Sequence, residues 1–401
     1  MTLDSIKLVI CGSGNGAHAF AGIASSLKGT DVRVLTLSRE RAARWNAALQ
    51  KRNLEITLHR KGKEQTRIVS KPVLVTNNPS KAMENVDLLV LVQRAADHRG
   101  YLEVLKPYIT PGTIVVGLPG CPGFEFEARH VLSDLLGLCT IMNFESLPWA
   151  CRTTEFGLKC TVLGTKETLH GCLKMADVPV NKDPVATLQY LLGPLPKLKV
   201  SGHLLSVQLM STNAYLHTSI MYGQWAEGWD GKAFDQPPLF YNGLTEAAAD
   251  LLSGMSDEVV KTAKVVTENS GADMSEVVNI YYWYMRCYPE DISDKTNLYT
   301  AIQTNAAYQG LKHPVKKSDD GKYLPDFTYR YMTEDIPYGL VVIRGIAEIV
   351  AVETPNIDKV LLWSQEKMGK EYLVNSKIQG KDVEKSRAPQ RYGFRTLESI
   401  L

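Results

Sequence analysis

The hexapeptide Gly12-Ser13-Gly14-Asn15-Gly16-Ala17 follows directly on the apolar run 6–11 and precedes residues 19–27, whose composition is helical. Small residues at this spacing have separate physical tasks. The first glycine permits a tight turn, the second lets backbone amides approach a pyrophosphate, and Ala17 lets a helix pack closely on the strand. Amides at the helix N-terminus then face the anion. The pattern points to a dinucleotide held by Gly12, Ser13, Gly14, Asn15, Gly16 and Ala17. A glycine turn without a ligand is the plainer alternative, and position, neighbours and spacing all count against it. The next strand ends at Leu37-Ser38-Arg39, where an NAD-preferring site usually offers an acid to the ribose 2′-hydroxyl. Ser38, Arg39 and Arg41 could instead receive a 2′-phosphate, or the two arginines are solvated positions on the following helix. Chemistry alone leaves NADH and NADPH both open.

Further along the chain are groups suited to moving a proton. His217 shares a mostly apolar helical stripe with Asn213, Ile220 and Met221, the pattern of a core histidine. Arg330 and Asp335 lie in a polar turn where local capping is a natural role. Together, however, the three are what a hydroxy-acid or imine dehydrogenase needs: an acid/base histidine, a carboxylate to orient it and an arginine to clamp a substrate carboxylate. Ligands of open α/β sheets lie beyond the carboxyl ends of strands. That singles out Gln93-Arg94, the turn from Gly117 to Cys121, and Glu145-Ser146-Leu147-Pro148-Trp149. Glu145 could hold an ammonium or guanidinium, with a surface cap as the competing reading. Tyr281-Tyr282-Trp283-Tyr284 puts four aromatics in a row, which no single helix face can bury, so at least one is expected to line a cleft or interface.

The elements that must position these groups fall into two halves. A chain of 401 residues exceeds what one core usually fills. The first half alternates β-rich runs (7–10, 32–37, 88–92, 113–116, 140–144 and 159–163) with helical patterns, the signature of a largely parallel sheet. Residues 54–75 hold two alternating segments around the polar turn 60–63, expected as a hairpin added to that sheet. The punctuated stretch 193–201 ends the domain. Beyond it the chain reads as all-helical, with helices expected at 204–225, 245–252, 258–268, 275–287, 339–352 and 357–368, the last two separated by a stop at Pro355-Asn356. The expected fold is α/β: a Rossmann-type doubly wound domain over 1–198 followed by a helical catalytic domain over 199–401. A net charge of +2 implies no nucleic-acid partner. No apolar run reaches the ~20 residues of a membrane span. The start of the chain lacks the features of a signal peptide. Seven scattered cysteines without ligand spacing indicate free thiols, a reducing compartment and no metal site.

Longer strings carry a more specific signal. Gly123-Phe124-Glu125-Phe126, Phe144-Glu145-Ser146-Leu147-Pro148-Trp149-Ala150-Cys151-Arg152, Trp229-Asp230-Gly231-Lys232, residues 331–337, 367–373 and Pro389-Gln390-Arg391-Tyr392-Gly393-Phe394 resemble the opine dehydrogenases of marine invertebrates over the whole chain. The resemblance implies a Rossmann domain, a helical domain and a cleft between them that closes on substrates. It also implies a reaction: pyruvate and an amino acid or taurine condense to an imine that NADH reduces, regenerating NAD⁺ in anaerobic glycolysis. By the same resemblance, His217 matches the acid/base histidine, Asp335 the carboxylate that polarises it and Arg330 the arginine on the keto-acid carboxylate. Glu145, Ser146 and Trp283 match substrate-binding positions, and Cys121 stands where a family glutamine helps bind pyruvate. The family's use of NADH sets it ahead of NADPH. A cytoplasmic monomer is implied as well. Two other readings remain at this point: a dehydrogenase of a preformed hydroxy acid or polyol phosphate, and a nucleotide-binding protein without catalysis. The amine, whether arginine, alanine, glycine, β-alanine or taurine, is left open.

Overall fold

The computed structural model describes residues 5–59, 64–226 and 228–401. The polar turn expected at 60–63 lies outside them. The chain divides into two compact units, Met1–Val207 and Gln208–Leu401.

The first unit carries twelve strands among its described residues: β1 Ile6–Cys11, β2 Thr30–Leu35, β3 Leu54–Leu58, β4 Thr66–Ser70, β5 Leu74–Thr76, β6 Leu88–Leu91, β7 Ile114–Gly117, β8 Thr140–Phe144, β9 Trp149–Glu155, β10 Lys159–Thr165, β11 Thr168–Lys174 and β12 Lys197–Val200. Eight form one sheet in the order β12-β11-β8-β7-β6-β1-β2-β5. Its pairings from β8 to β5 are parallel, whereas β11 runs antiparallel to β8. The inner strands are apolar on both faces because both faces are covered: Leu8, Val9, Ile10 and Cys11 are all inaccessible to solvent. The chain leaves β1 for β2 on one side and later crosses to β6 on the other. The carboxyl end of β1 is therefore a topological switch point, where such sheets bind ligands.

The hairpin expected to extend this sheet does not do so. β3 and β4 join β10 and β9 in a separate four-stranded sheet, order β4-β3-β10-β9, which also takes the strand expected at 159–163. Its strands alternate buried and accessible residues, the pattern of a sheet covered on one face only. That face packs on α1 (Asn15–Ser25), whose residues 16–24 are all buried. The helix is thin enough for this double burial because it is built from alanine and glycine. A methyl group on Gly22 would lie 2.2 Å from Ile56 Cγ1. β11 and β12, for which the sequence shows only a weakening pattern, complete the edge of the large sheet, and β12 runs past the boundary expected at 198/199.

The second unit is mostly helical, with two small two-stranded ribbons, Val315–Lys317 with Tyr323–Pro325 and Leu373–Val374 with Lys377–Ile378. Three expectations need correction. The helix expected at 204–225 breaks into Leu204–Leu209 and Asn213–Trp225 at Ser211-Thr212, residues whose side chains compete with helical backbone bonds. The two helices expected at 245–252 and 258–268 are one, Glu246–Ser270. Gly254 within it gives room to a neighbour, since a methyl group there would meet Asn356 at 2.7 Å. Pro355 starts a helix instead of stopping one: Pro355–Met368 has its proline in the first turn, and the Glu258 carboxylate accepts from the amides of Asn356 and Ile357 at 2.8 and 3.0 Å. No helix among the described residues is long and apolar enough to cross a membrane.

His18, buried on α1, ties the first unit together. Its Nε2 accepts from the Gly157 amide at 2.9 Å, so Nδ1 carries the proton and donates to the Gly14 carbonyl at 2.8 Å. Its ring stacks on Trp45 at 3.8 Å. Burial, and to a lesser degree the charge of Arg41, push its pKa down to about 4 from the usual 6.5, against the Gly14 hydrogen bond that raises it. Below the usual value the unfolded chain takes up a proton that the folded chain refuses. Stability is therefore expected to fall by about 3 kcal/mol as pH drops through this window. Urea unfolding at stepwise lower pH should show the wild type losing that much more than a His18→Asn variant; parallel losses would count against it.

Candidate active site

The phosphate-binding turn sits at the carboxyl end of β1. Gly12 has φ +132°, and a methyl group there would stand 2.6 Å from the Val92 carbonyl oxygen, so only glycine fits. Gly14 is the N-cap of α1 and has nothing within 4 Å of where a Cβ would be, leaving an open approach to the helix N-terminus. Gly16 is crowded by Val92 and Leu147, and Ala17 is fully buried. The side chain of Asn15 is turned away, accepting from the Thr153 amide at 2.9 Å. Open space in front of helix amides, with glycines behind, fits a pyrophosphate.

At the end of β2 the residues divide. Ser38 caps α2 (Arg39–Lys51), its hydroxyl accepting from the Arg41 amide at 3.3 Å. Arg39 is exposed and makes no side-chain hydrogen bond or ion pair among the described residues. It is Arg41 that reaches the turn, donating to the Ser13 hydroxyl at 3.2 Å. Cys121, Glu145 and Ser146 gather at the carboxyl ends of β7 and β8. Cys121 has φ +63°, and its carbonyl accepts from Asn143 at 3.4 Å. The Glu145 carboxylate makes one long contact, 3.5 Å, with the His170 amide. The Ser146 hydroxyl is buried without a hydrogen-bond partner among the described residues, and such a group is costly unless a ligand satisfies it.

The second unit assembles the proton-handling group. Helix Asn213–Trp225 is buried through residues 214–222, so His217 has almost no contact with solvent. Asp335 heads the π-helical turn Ile336–Leu340, where the Leu340 amide reaches back five residues to the Asp335 carbonyl at 2.8 Å. The turn lies close against the helix: a methyl group on Gly339 would come 2.7 Å from Ala214 Cβ. This approach brings Asp335 Oδ2 to 2.7 Å from His217 Nδ1. The carboxylate can only accept, so in the neutral ring Nδ1 carries the proton and Nε2 is an acceptor, facing the Tyr241 hydroxyl at 2.8 Å.

Arg330 is five residues from Asp335, and its carbonyl accepts the Asp335 amide at 3.2 Å. As a residue Arg330 is exposed, and it makes no side-chain hydrogen bond or ion pair among the described residues. Partial burial of the charge works against it, but the neighbouring carboxylates of Asp335 and Glu334 outweigh this and raise its pKa. Trp283, on helix Ile280–Cys287, is buried with its indole N–H unpartnered among the described residues. Aromatic contacts link it to the histidine: Trp283 to Tyr284 at 5.2 Å, Tyr284 to Tyr308 at 6.1 Å and Tyr308 to Tyr241 at 4.0 Å. The sequence reading missed Tyr241 and assigned no role to Tyr331, which stacks on the His217 ring at 4.0 Å. Tyr241 lies in a proline-rich loop without periodicity. Tyr331 falls in a string that carried the resemblance, and its place beside Arg330 was the available signal.

Residues 200–368 match the alpha-helical domain of NAD/NADP octopine/nopaline dehydrogenases. The tauropine dehydrogenase of Arabella iricolor is 51% identical over 397 residues, covering 99% of this chain and 100% of its own. The structure of octopine dehydrogenase with NADH and L-arginine superposes with a TM-score of 0.95 at 44% identity, covering 99% and 98% of the two chains. Its counterpart with NADH and pyruvate gives 0.92 at 42%, with the same coverage. The chain belongs to the opine dehydrogenase family.

If Asp335 sets the tautomer of His217, Asp335→Asn should cut kcat by about 10³-fold, because an amide can present its N–H₂ to Nδ1 and favour the opposite tautomer. NADH affinity, read by fluorescence, should be unchanged. A kcat within about threefold of wild type would remove Asp335 from the machinery.

Proposed function

We propose that this chain catalyses the NADH-dependent condensation of pyruvate with an amino acid or taurine to an opine, with His217 as general acid. The observation that carries the reading is the buried His217–Asp335 pair at 2.7 Å, in a chain that aligns end to end with tauropine and octopine dehydrogenases. The first unit supplies the dinucleotide site through Gly12, Ser13, Gly14, Asn15, Gly16 and Ala17, with Ser38 and Arg39 at its ribose end. NADH supplies the hydride. The second unit handles the proton.

The amine adds to the keto carbon, and the resulting carbinolamine must lose its hydroxyl. Hydroxide is a poor leaving group near neutral pH, so a proton from His217 leaves with the oxygen as water and the C=N bond forms. Hydride addition to that carbon then gives the secondary amine. Arg330, exposed and unpaired, is suited to fork onto the pyruvate carboxylate. Glu145 is suited to the ammonium or guanidinium of the amine. Ser146, Trp283 and Cys121 bring two unsatisfied donors and a thiol to the substrate. We place the enzyme in the cytosol as a monomer, in keeping with seven cysteines that form no disulfide.

Two measurements test this. NADH oxidation should require pyruvate and an amine together across a panel of arginine, alanine, glycine, β-alanine and taurine; equal turnover with pyruvate alone would contradict it. Arg330→Lys, replacing a fork by a point charge, should raise the pyruvate KM by roughly tenfold or more while kcat changes less.

A further inference from the structure

Three hydrogen bonds tie the end of β2 to the glycine turn. The Gly12 amide donates to the Leu35 carbonyl at 2.9 Å, the Thr36 hydroxyl to that of Ser13 at 3.4 Å, and the Arg41 guanidinium to the same Ser13 hydroxyl at 3.2 Å. The Tyr101 hydroxyl accepts the Leu37 amide at 3.1 Å and fixes the point where the strand gives way to α2. A dinucleotide whose pyrophosphate lies at the turn has its adenosine ribose at this junction. The side chains gathered here therefore decide between a 2′-hydroxyl and a 2′-phosphate. An NAD-selective junction offers a carboxylate, which accepts from the hydroxyl and repels the phosphate. Thr36, Leu37 and Ser38 are all neutral. The first turns of α2 then carry Arg39, Arg41 and Arg44 against a single acid, Glu40. Arg44 is engaged over the Phe156 ring at 4.6 Å. Arg39 and Arg41 are exposed, and neither has a carboxylate partner among the described residues. Arg41 spends one donor on Ser13, which holds its charge at the turn and leaves the rest of its fork open.

We propose that the ribose end of this site accepts a 2′-phosphate, held by Arg39 and Arg41, so that the protein takes NADPH as well as NADH. This rests on the reading of the glycine turn as a dinucleotide site and is independent of the role of His217. A phosphate monoester is nearly dianionic at neutral pH, and two guanidinium groups without carboxylate partners are the donors best matched to it, by charge and by fork geometry. Arg41 binds from a position already set by Ser13, so little of its side-chain freedom is left to lose. Arg39, one residue past the capping Ser38, adds the second charge. NADH still fits, because the same donors can meet a ribose hydroxyl oxygen and no acid at the strand end selects for it. Both arginines are exposed, so their hold on a phosphate is screened by salt, and discrimination between the two cofactors depends on ionic strength.

Fluorescence titration of the purified protein with each reduced cofactor gives both dissociation constants without reference to turnover. NADPH should bind within about tenfold of NADH. Adenosine 2′,5′-bisphosphate should displace NADH at lower concentration than 5′-AMP, which has the same adenosine and no 2′-phosphate. In the double variant Arg39→Ala/Arg41→Ala the ratio of the NADPH Kd to the NADH Kd should rise by about tenfold or more. Reading the ratio separates loss of the phosphate contact from any general loosening of the turn. Raised ionic strength should weaken NADPH more than NADH in the wild type and equalise the two losses in the variant. Wild-type binding of NADPH beyond that tenfold limit, or a ratio that the double variant leaves within about twofold, would overturn the 2′-phosphate site and leave the dinucleotide reading standing. A wild type that binds neither cofactor would overturn the reading beneath it.

Discussion

The hydrogen bond between Asp335 and His217 is the constraint on which the rest of the second unit depends. Both groups are buried, and removing one partner leaves the other a buried polar group without its hydrogen bond, which typically costs about 1–3 kcal/mol. Holding them 2.7 Å apart requires the Ile336–Leu340 turn to lie almost on the backbone of helix Asn213–Trp225, which Gly339 permits. The turn is held from behind as well. The fully buried Arg387 donates its amide to the Pro337 carbonyl at 3.1 Å and sets its guanidinium over the Tyr338 ring. The C-terminal segment therefore holds in place the turn that carries Asp335.

The first unit solves a different problem by the same means. Its helix α1 keeps its N-terminus open at Gly14 while being covered on two faces, by the large sheet and by the β4-β3-β10-β9 sheet. Alanine and glycine make the helix thin, and His18 replaces a covalent tie, linking the Gly14 carbonyl of the turn to the Gly157 amide of the second sheet. In each unit the reactive edge is rigid because a buried imidazole has both nitrogens occupied. For His18 this is purely structural. For His217 the two partners are a carboxylate and a hydroxyl.

Much of this was legible in the residues. The glycine turn is local chemistry, and its place between an apolar strand and an alanine-rich helix follows from residues 6–27 alone. Helix Glu246–Ser270 shows its period only at its two ends, 245–252 and 258–268, and its continuity through Gly254, which gives room to Asn356, is not legible. The second sheet was not legible, because strand patterns at 54–75 and 159–163 say that a strand forms but not which sheet it joins. Within the site, His217 looks like a core histidine and Asp335 like a cap, since the contact joining them spans 118 residues. Their pairing was reached by resemblance, not by pattern. Tyr241 was invisible to both: an aromatic in a loop has no period, and its contact with His217 exists only once the loop 236–244 is folded against residues 308–313.

The central claim is that Asp335 fixes His217 with its proton on Nδ1 and its Nε2 lone pair facing outward along the ring. Nitrogen NMR of histidine-labelled protein, assigned by comparison with a His217→Gln variant, reads this directly. The account predicts that in the neutral ring His217 has Nδ1 protonated and Nε2 bare and hydrogen-bonded, and that Asp335→Asn disturbs this signal. A His217 ring protonated on Nε2, or one whose signal is indifferent to Asp335, would contradict it.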